Sequence, residues 1–505
     1  MLQSKNVEPV TNDPMAMLAV IRKLSPGSRT VGLPDPVIER FLQKDPALRQ
    51  AISDASEAHR LMQVEYPNLL AGDEQALAAT LQSGLINFYA ADAVNPYIAI
   101  AAHGPWVVTL AGAVVHDSGG YGMLGLGHSP QVVLDAMNQH QVMANVMTPS
   151  LSHQRFVQAL RKEVGQTRGG CPFDGFMCLN SGSESMTVAL RLADVNAKLQ
   201  TDPNGRHRGK PIRRVALEKS FHGRTDRPAS YSDSTLGNYV SNLASFSEKS
   251  GPITVEPNNI VQLTEVFAMA EQQGFFVEAL CLEPVMGEGN PGLAITRDFY
   301  DTARRLTLEH GSMLVIDSIQ AGLRAHGYLS IVDYPGFSDC TPPDMETYSK
   351  ALNAGQFPLS VLALSERAVG IYRPGIYGNT MTTNPRALDV ACAVLGSLDD
   401  DLRNNIRERG AEFVAGLESL ATELDDTITG VQGTGLLLSC ELNDQRYRCY
   451  GTGSTEEYMR MHGIGVVHGG KRSLRFTPPF SISSAEINMV LVALRQALKN
   501  GPKLA

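Results

Sequence analysis

The sequence predicts an α/β protein, with a large, mostly parallel, doubly wound sheet and a smaller α+β domain built from both chain ends. Two observations carry the prediction. Between about residues 175 and 365, short apolar runs alternate with helical stretches: "GFMCLN" then "SESMTVALRLADVNAK", "RRVALE", "VEALCLEPV", "TRDFYDTARRLTLEHG" and "SMLVIDS". Strands alternating with helices indicate a parallel sheet covered on both faces. After about residue 395, helical "LRNNIRERGAEFVAGLESLATEL" leads into "GTGLLLSCEL", and the chain closes on "SAEINMVLVALRQALKN". That order suits a small α+β unit.

The elements follow in chain order. Residues 1–85 are rich in helix formers, and Asp35-Pro36 and Asp45-Pro46 read as helix starts. They form a helical extension for which the sequence suggests no function. Residues 86–130, with "PWVVTLAGAVVHDSGGYG", break into short β-rich runs separated by Gly and read as the first part of the small domain. "SPQVVLDAMNQHQVM" and "LSHQRFVQALRKEVG" read as amphipathic helices opening the large domain, residues 131–395. Residues 396–505 return to the small domain.

At 505 residues, with 43% hydrophobic and 19% charged content, the chain has the composition of a globular protein with a sizeable core. A net charge of −9 argues against nucleic acid or an anionic membrane as the main partner. No apolar run reaches the ~18 residues of a membrane span, and the start shows no secretory pattern. Seven scattered cysteines with no CxxC pair suggest reduced thiols and a cytoplasmic setting.

In an open parallel sheet, ligands collect at the carboxyl ends of the strands. Several unusual polar residues fall there. "MCLNSGSES" is an apolar strand, the turn Asn180-Ser181-Gly182-Ser183, then a helix. Free amides and the positive end of the helix dipole suit a phosphate, although Ser is also a common N-cap. "SMLVIDSIQAG" ends a buried strand in Asp317, whose carboxylate needs a partner. A protonated pyridine nitrogen is one; a metal or a helix N-cap are others, but no His or acidic cluster with metal spacing stands nearby. Lys350, in "TYSKALNAGQFPLS", lies 33 positions after Asp317 among small residues that leave room for a covalent adduct. Phosphate turn, strand-end aspartate and lysine together fit pyridoxal 5′-phosphate.

From about residue 86 to 498 the chain resembles the class III aminotransferases of the fold-type-I pyridoxal-phosphate enzymes, such as the 4-aminobutyrate, ornithine and lysine 6-aminotransferases. "LNSGSESMTVALRLA", "SFHGRT", "EPVMGEG", "IDSIQAG", "YSKAL", "GNTMTTNP" and "LRFTPP" stand in the family's order at similar spacing. The resemblance implies that Lys350 is the Schiff-base lysine and proton carrier, and Asp317 the partner of the ring nitrogen. It implies Gln320 beside the phenolic oxygen, and Phe221 and Ile319 on the two ring faces. Gly182 and Ser183 match the phosphate turn, with Ser181 and His222 also on the cofactor side. Thr380 matches a residue that reaches the phosphate of a neighbouring subunit, which implies a homodimer with shared active sites. Arg475 matches the arginine for the α-carboxylate of glutamate or 2-oxoglutarate, and Glu288 the carboxylate that neutralises it. Arg224 and Tyr121 match groups near a substrate carboxylate.

The implied activity is transfer of an amino group from an ω-amino or diamino acid to a 2-oxo acid such as 2-oxoglutarate. Departures from the family leave the cofactor chemistry intact and bear on which family member's substrate applies. Asp317-Ser318 replaces Asp-Glu, "EPVMGEGN" replaces "EPVQGEGG", Thr382-Thr383 replaces a Gly pair, and Asp226-Arg227 follows "FHGRT". "SIVDYPGFSDCTPPDM" lengthens the path from Asp317 to Lys350. An isomerase on the same fold, a 2,1-aminomutase or amino-acid 2-epimerase, would share Lys350 and Asp317 but has less need of Arg475 and Glu288. A non-catalytic binding protein would have little reason to keep Lys350, Asp317 and the phosphate turn.

Overall fold

Aspartate caps organise the start of the chain. In the computed structural model, which describes residues 12–25, 27–67, 72–247 and 251–504, helices span Pro14–Lys23, Asp35–Leu42, Pro46–Glu65 and Glu74–Gln82. Asp13, Asp45 and Asp73 each accept amides of the turn that follows, satisfying donors a helix start leaves bare. Residues 1–11 of the predicted extension lie outside the described residues. Leu48, Ala51, Ile52 and Ala55 of the third helix are buried, a three–four spacing that turns one stripe inward.

That stripe packs on a meander of β1 (Ala99–His103), β2 (Trp106–Thr109) and β3 (Val114–Asp117). Trp106 locks the contact. Its indole Nε1 donates to Asp45 Oδ2 at 2.6 Å, and its ring lies 5.1 Å from Phe41. Arg22 Nε adds a bond to Gly112 O at 2.9 Å.

The large sheet comprises β4 (Gly175–Leu179), β5 (Ile212–Leu217), β6 (Ile253–Val255), β7 (Phe276–Leu282), β8 (Met313–Asp317), β9 (Met345–Tyr348) and β10 (Ser360–Leu364). Their order is β4-β10-β9-β8-β7-β5-β6. The run from β9 to β6 is parallel, whereas β10 is antiparallel to both neighbours. β7 and β8 are buried along their whole length, as strands covered on both faces must be. The short β6, together with β9 and β10, goes beyond the strands the sequence pattern predicts.

The C-terminal part holds β11 (Ile428–Thr434), β12 (Leu437–Leu442), β13 (Ile464–Gly465), β14 (Val467–Gly469) and β15 (Ser473–Phe476). β13 leaves its neighbours and pairs parallel with β3, so both chain ends build one layer. The helix expected over "SPQVVLDAMNQHQVM" stops early, at Gln131–Met137, where the apolar spacing gives way to Asn138-Gln139-His140-Gln141. No helix among the described residues is long and apolar enough to cross a membrane.

Candidate active site

Three strand ends converge on one cavity. β8 ends in Asp317, β9 runs into Ser349-Lys350, and β4 turns through Ser181 into the helix Gly182–Thr201. β8 and β9 lie in register with Asp317 opposite Thr347, which brings the aspartate and the lysine to the same edge. The cavity has a volume of about 170 Å³ and is lined by Ser181, Gly182, Ser183, Phe221, His222, Asp317, Ile319, Gln320 and Lys350. Nine predicted cofactor residues thus meet in one place. Thr380 does not: it is exposed, and its carbonyl accepts from Asn145.

The phosphate end is a capped helix start. Ser181 Oγ accepts from Glu184 N at 3.3 Å, and Glu184 Oε2 in turn accepts from Asn180 N at 2.7 Å. The Ser181 side chain is therefore engaged as a cap, while the first-turn amides beside it have no intrahelical acceptor. Gly182 packs closely on Ile319: a Cβ there would come 2.6 Å from Ile319 Cδ1 and force that side chain to shift. Ser360 Oγ donates to Ser181 O at 2.7 Å, tying β10 to the turn.

At the opposite end Asp317, only 4% exposed, accepts from His222 Nδ1 at 2.8 Å and from Ile319 N at 3.2 Å. Burial works against a charged His222, but the Asp317 carboxylate outweighs it and holds the imidazole above its ordinary value. Glu283, at the end of β7, accepts from Phe221 N at 3.1 Å and Gly287 N at 3.0 Å. Burial raises its carboxyl to about 7, against the pull of His222. The sequence reading passed over Glu283, although "LEPV" carries the same signal as Asp317, an acid closing an apolar strand.

Lys350 sits between these ends in the left-handed region, at φ 46°. A non-glycine residue seldom adopts this conformation, and such strain collects at functional sites. Burial first, and then the Arg475 cation, lower its amine to about 8. With its amide oxygen turned toward the cations, Gln320 accepts from Lys350 Nζ at 2.8 Å and from Arg475 Nη1 at 2.9 Å.

Arg475 is buried, donates from Nη1 to Gly287 O at 3.0 Å, and leaves its Nε without a partner. Burial lowers its pKa, with Glu288 opposing. The implied ion pair is placed differently here. Glu288 Oε1 accepts from Arg224 Nη2 at 3.2 Å, and it is Arg224 that makes its salt bridge. One carboxylate lies between two guanidiniums, and the more exposed Arg224 reaches it while Arg475 turns to a carbonyl and an amide. The Arg224 guanidinium also lies 5.2 Å from the Phe221 ring centre. Tyr121 is half exposed at the rim. Another residue the sequence reading missed is Arg324, fully buried, which donates to Pro478 O at 2.6 Å and to Gly122 O at 3.4 Å. It ties the small-domain loops to the large sheet.

The aminotransferase class-III family model matches residues 88–498. The chain belongs to the class-III aminotransferases. It is 29% identical over 388 residues to the acetylornithine aminotransferase of Neisseria meningitidis serogroup B, covering 75% of this chain and 89% of that one. To ornithine aminotransferase 1 of Staphylococcus aureus (strain MRSA252) it is 25% identical over 382 residues, covering 75% and 89%. Among solved structures, the ornithine aminotransferase of Toxoplasma gondii superposes with a TM-score of 0.72 at 21% identity, over 87% of this chain and 97% of that one. As a class-III aminotransferase the protein is a pyridoxal-phosphate-dependent transaminase, and the cavity fits that cofactor. A helix N-terminus faces one end for the phosphate and a buried carboxylate the other for a ring cation, with a part-neutral amine between.

Proposed function

We propose that this class-III aminotransferase takes the amino group of an ω-amino or diamino acid of the ornithine type and passes it to a 2-oxo acid, 2-oxoglutarate in the first instance. The observation that carries the reading is buried Arg475, with an unpartnered Nε, adjoining the Lys350 amine through Gln320. A guanidinium with spare donors suits a carboxylate held in a fixed pose. Beside it Arg224 and Glu288 form a breakable pair, 38% and 26% exposed. When Glu288 swings to Arg475, an uncharged ω-amine end can enter; when it stays with Arg224, Arg475 is open to an α-carboxylate. The relatives' names, acetylornithine and ornithine aminotransferases, favour a diamino acid donor.

Bound pyridoxal phosphate supplies an aldehyde for the donor's nitrogen and a ring that withdraws electrons from the adjoining carbon. The residues divide the remaining work. Lys350, whose buried amine stands between the two ends of the cavity, would take the proton from the carbon bearing the amine. Asp317 would stabilise a proton on the ring nitrogen, with His222 Nδ1 orienting that carboxylate. Glu283 fixes the Phe221 and Gly287 backbone, and with it the aromatic face of the cavity. The Gly182 and Ser183 amides would hold the phosphate.

The same proposal includes a homodimer in a cytoplasmic setting. Val142, Val146, Met147, Leu151 and Met381 stand 68–84% exposed beside Thr380, an apolar surface that a second copy would cover. The seven cysteines are free thiols. The test is a donor screen with 2-oxoglutarate, following glutamate. Glutamate formed from an ω-amine donor supports the reading. Donor rearranged without any oxo acid would replace it with an isomerase.

A further inference from the structure

A carboxylate outside the cavity grips both strands that carry its reactive residues. Side chains alternate in direction along β8 and β9, and Ile316 pairs with Glu346 as Asp317 pairs with Thr347. Thr347 Oγ1 lies 3.5 Å from Met186 Sδ on the helix Gly182–Thr201, so Asp317 and Thr347 share the helix side of the sheet. Glu346 points to the other side. The Ser318 amide donates to Thr347 O at 3.0 Å and continues the ladder past Asp317.

Glu346 is fully buried. Its Oε1 accepts from Ser318 Oγ at 2.5 Å and Ile331 N at 2.9 Å, and its Oε2 from Tyr348 Oη at 3.0 Å and from Ser330 Oγ. Burial raises the carboxyl to about 7, against the pull of these four donors. A buried charge is a poor source of stability, since a well-packed apolar residue often does as well. The donors say what is tied. Ser318 directly follows Asp317, and Tyr348 stands two residues before Lys350, whose left-handed backbone persists only where its surroundings hold it. Ser330 and Ile331 open the stretch 330–345 that lengthens the path between those residues. Asp333 fastens this stretch a second time, accepting from Gly165 N at 2.6 Å and Thr167 N at 2.8 Å. Two of the chain's departures from its family, Ser318 and the longer path, thus meet at one side chain.

Resting on the assignment of Lys350 and Asp317 to the cofactor, we propose that Glu346 is a positioning residue for the transamination. Its carboxylate clamps the end of β8 to the end of β9 and to the stretch 330–345, and so sets the pose of the Lys350 amine against Asp317.

The test uses the full chain, first as cofactor-free protein given pyridoxal phosphate and then as holoenzyme with ornithine and 2-oxoglutarate. Glu346→Gln keeps the size but turns an NH2 group toward donors. It should slow cofactor uptake, read as borohydride-fixed label on Lys350, by about tenfold or more. It should also lower kcat about 10- to 100-fold with KM changed less than about threefold, the pattern of a misplaced reacting group. The exchange Ser318→Glu with Glu346→Ser restores a carboxylate to the same contact and should recover most of both losses. Tyr348→Phe removes one donor, a milder change should Glu346→Gln fail to fold, and should cost about 2- to 10-fold in the same readouts. Single variants that melt earlier yet take up cofactor at the wild-type rate would overturn the proposal, as would an exchange variant no better than Glu346→Gln. The uptake arm decides whichever donor the enzyme uses. Wild-type label on another lysine would overturn the cofactor assignment first, and this inference with it.

Discussion

The cofactor cavity and the substrate rim are neighbours built on different principles. The cavity is made where β4, β8 and β9 end, and strand register alone brings Asp317 level with Thr347, three residues before Lys350. Its polar groups are buried and bonded to one another, as Asp317 is to His222 and Glu283 to the Phe221 backbone. The rim is carried by loops and chain ends: Tyr121 from the first part of the chain, Arg224 and Glu288 from loops of the large domain, Arg475 from β15. Its Arg224 and Glu288 charges are part-exposed and can exchange partners, with Arg475 buried behind them. The rigid part suits chemistry common to many substrates, and the adjustable part suits the choice among them.

This contrast can be broken at its rigid end first. Asp317→Asn keeps the size but removes the charge facing the ring nitrogen. It should slow both half-reactions by at least ~100-fold, about 2.7 kcal/mol of barrier, while the cofactor still binds. Single-turnover absorbance within a few-fold of wild type would remove Asp317 from the chemistry.

At the rim the losses should be one-sided. Arg475→Ala removes charge-assisted bonds worth roughly 1.5–3 kcal/mol, or about 10- to 150-fold in kcat/KM for 2-oxoglutarate. The ω-amine half-reaction should suffer far less. Equal loss on both halves would mean that the rim does not switch.

A pH series sharpens the same division. Lys350 in the cofactor-free protein is lowered to about 8, below the ~10.4 of a free lysine, so the neutral amine dominates above pH 8. The rate of reconstitution with pyridoxal phosphate should rise about tenfold per pH unit up to 8 and then flatten. By the same sign, this group adds stability to the cofactor-free fold as pH rises from 8 toward the free-lysine value. A rate still climbing steeply past pH 9.5 would show that burial does not depress the amine.

The smallest effect belongs to Glu288→Ala. With the partner of Arg224 gone and Arg475 uncompensated, glutamate should be favoured over the ω-amine donor by a factor of about 3 to 10. The ratio of kcat/KM for the two donors reads it directly.

The two regions also differed in how far the sequence disclosed them. Asp317 and the Ser181-Gly182-Ser183 turn close apolar strands and are legible from local pattern. Lys350 instead follows β9, whose Met-Glu-Thr-Tyr run carries no strand signal, and is legible from its small neighbours and motif order. Glu283 carried the same strand-end signal and was overlooked. The antiparallel course of β10 was not legible, because its apolar run reads alike in either direction. The Arg224–Glu288 pair could not be foreseen, since two arginines compete for one carboxylate and only tertiary packing decides between them. Nor could the docking of the extension, which turns on Trp106 meeting Asp45 from 61 positions away.

The central claim is that Lys350 is the residue joined to the cofactor, and borohydride reduction of the holoenzyme tests it most directly. Peptide mapping by mass spectrometry should find the reduced pyridoxyl label on Lys350, and Lys350→Ala should lose both the label and transamination. A label carried by another lysine in the wild-type protein would contradict the account.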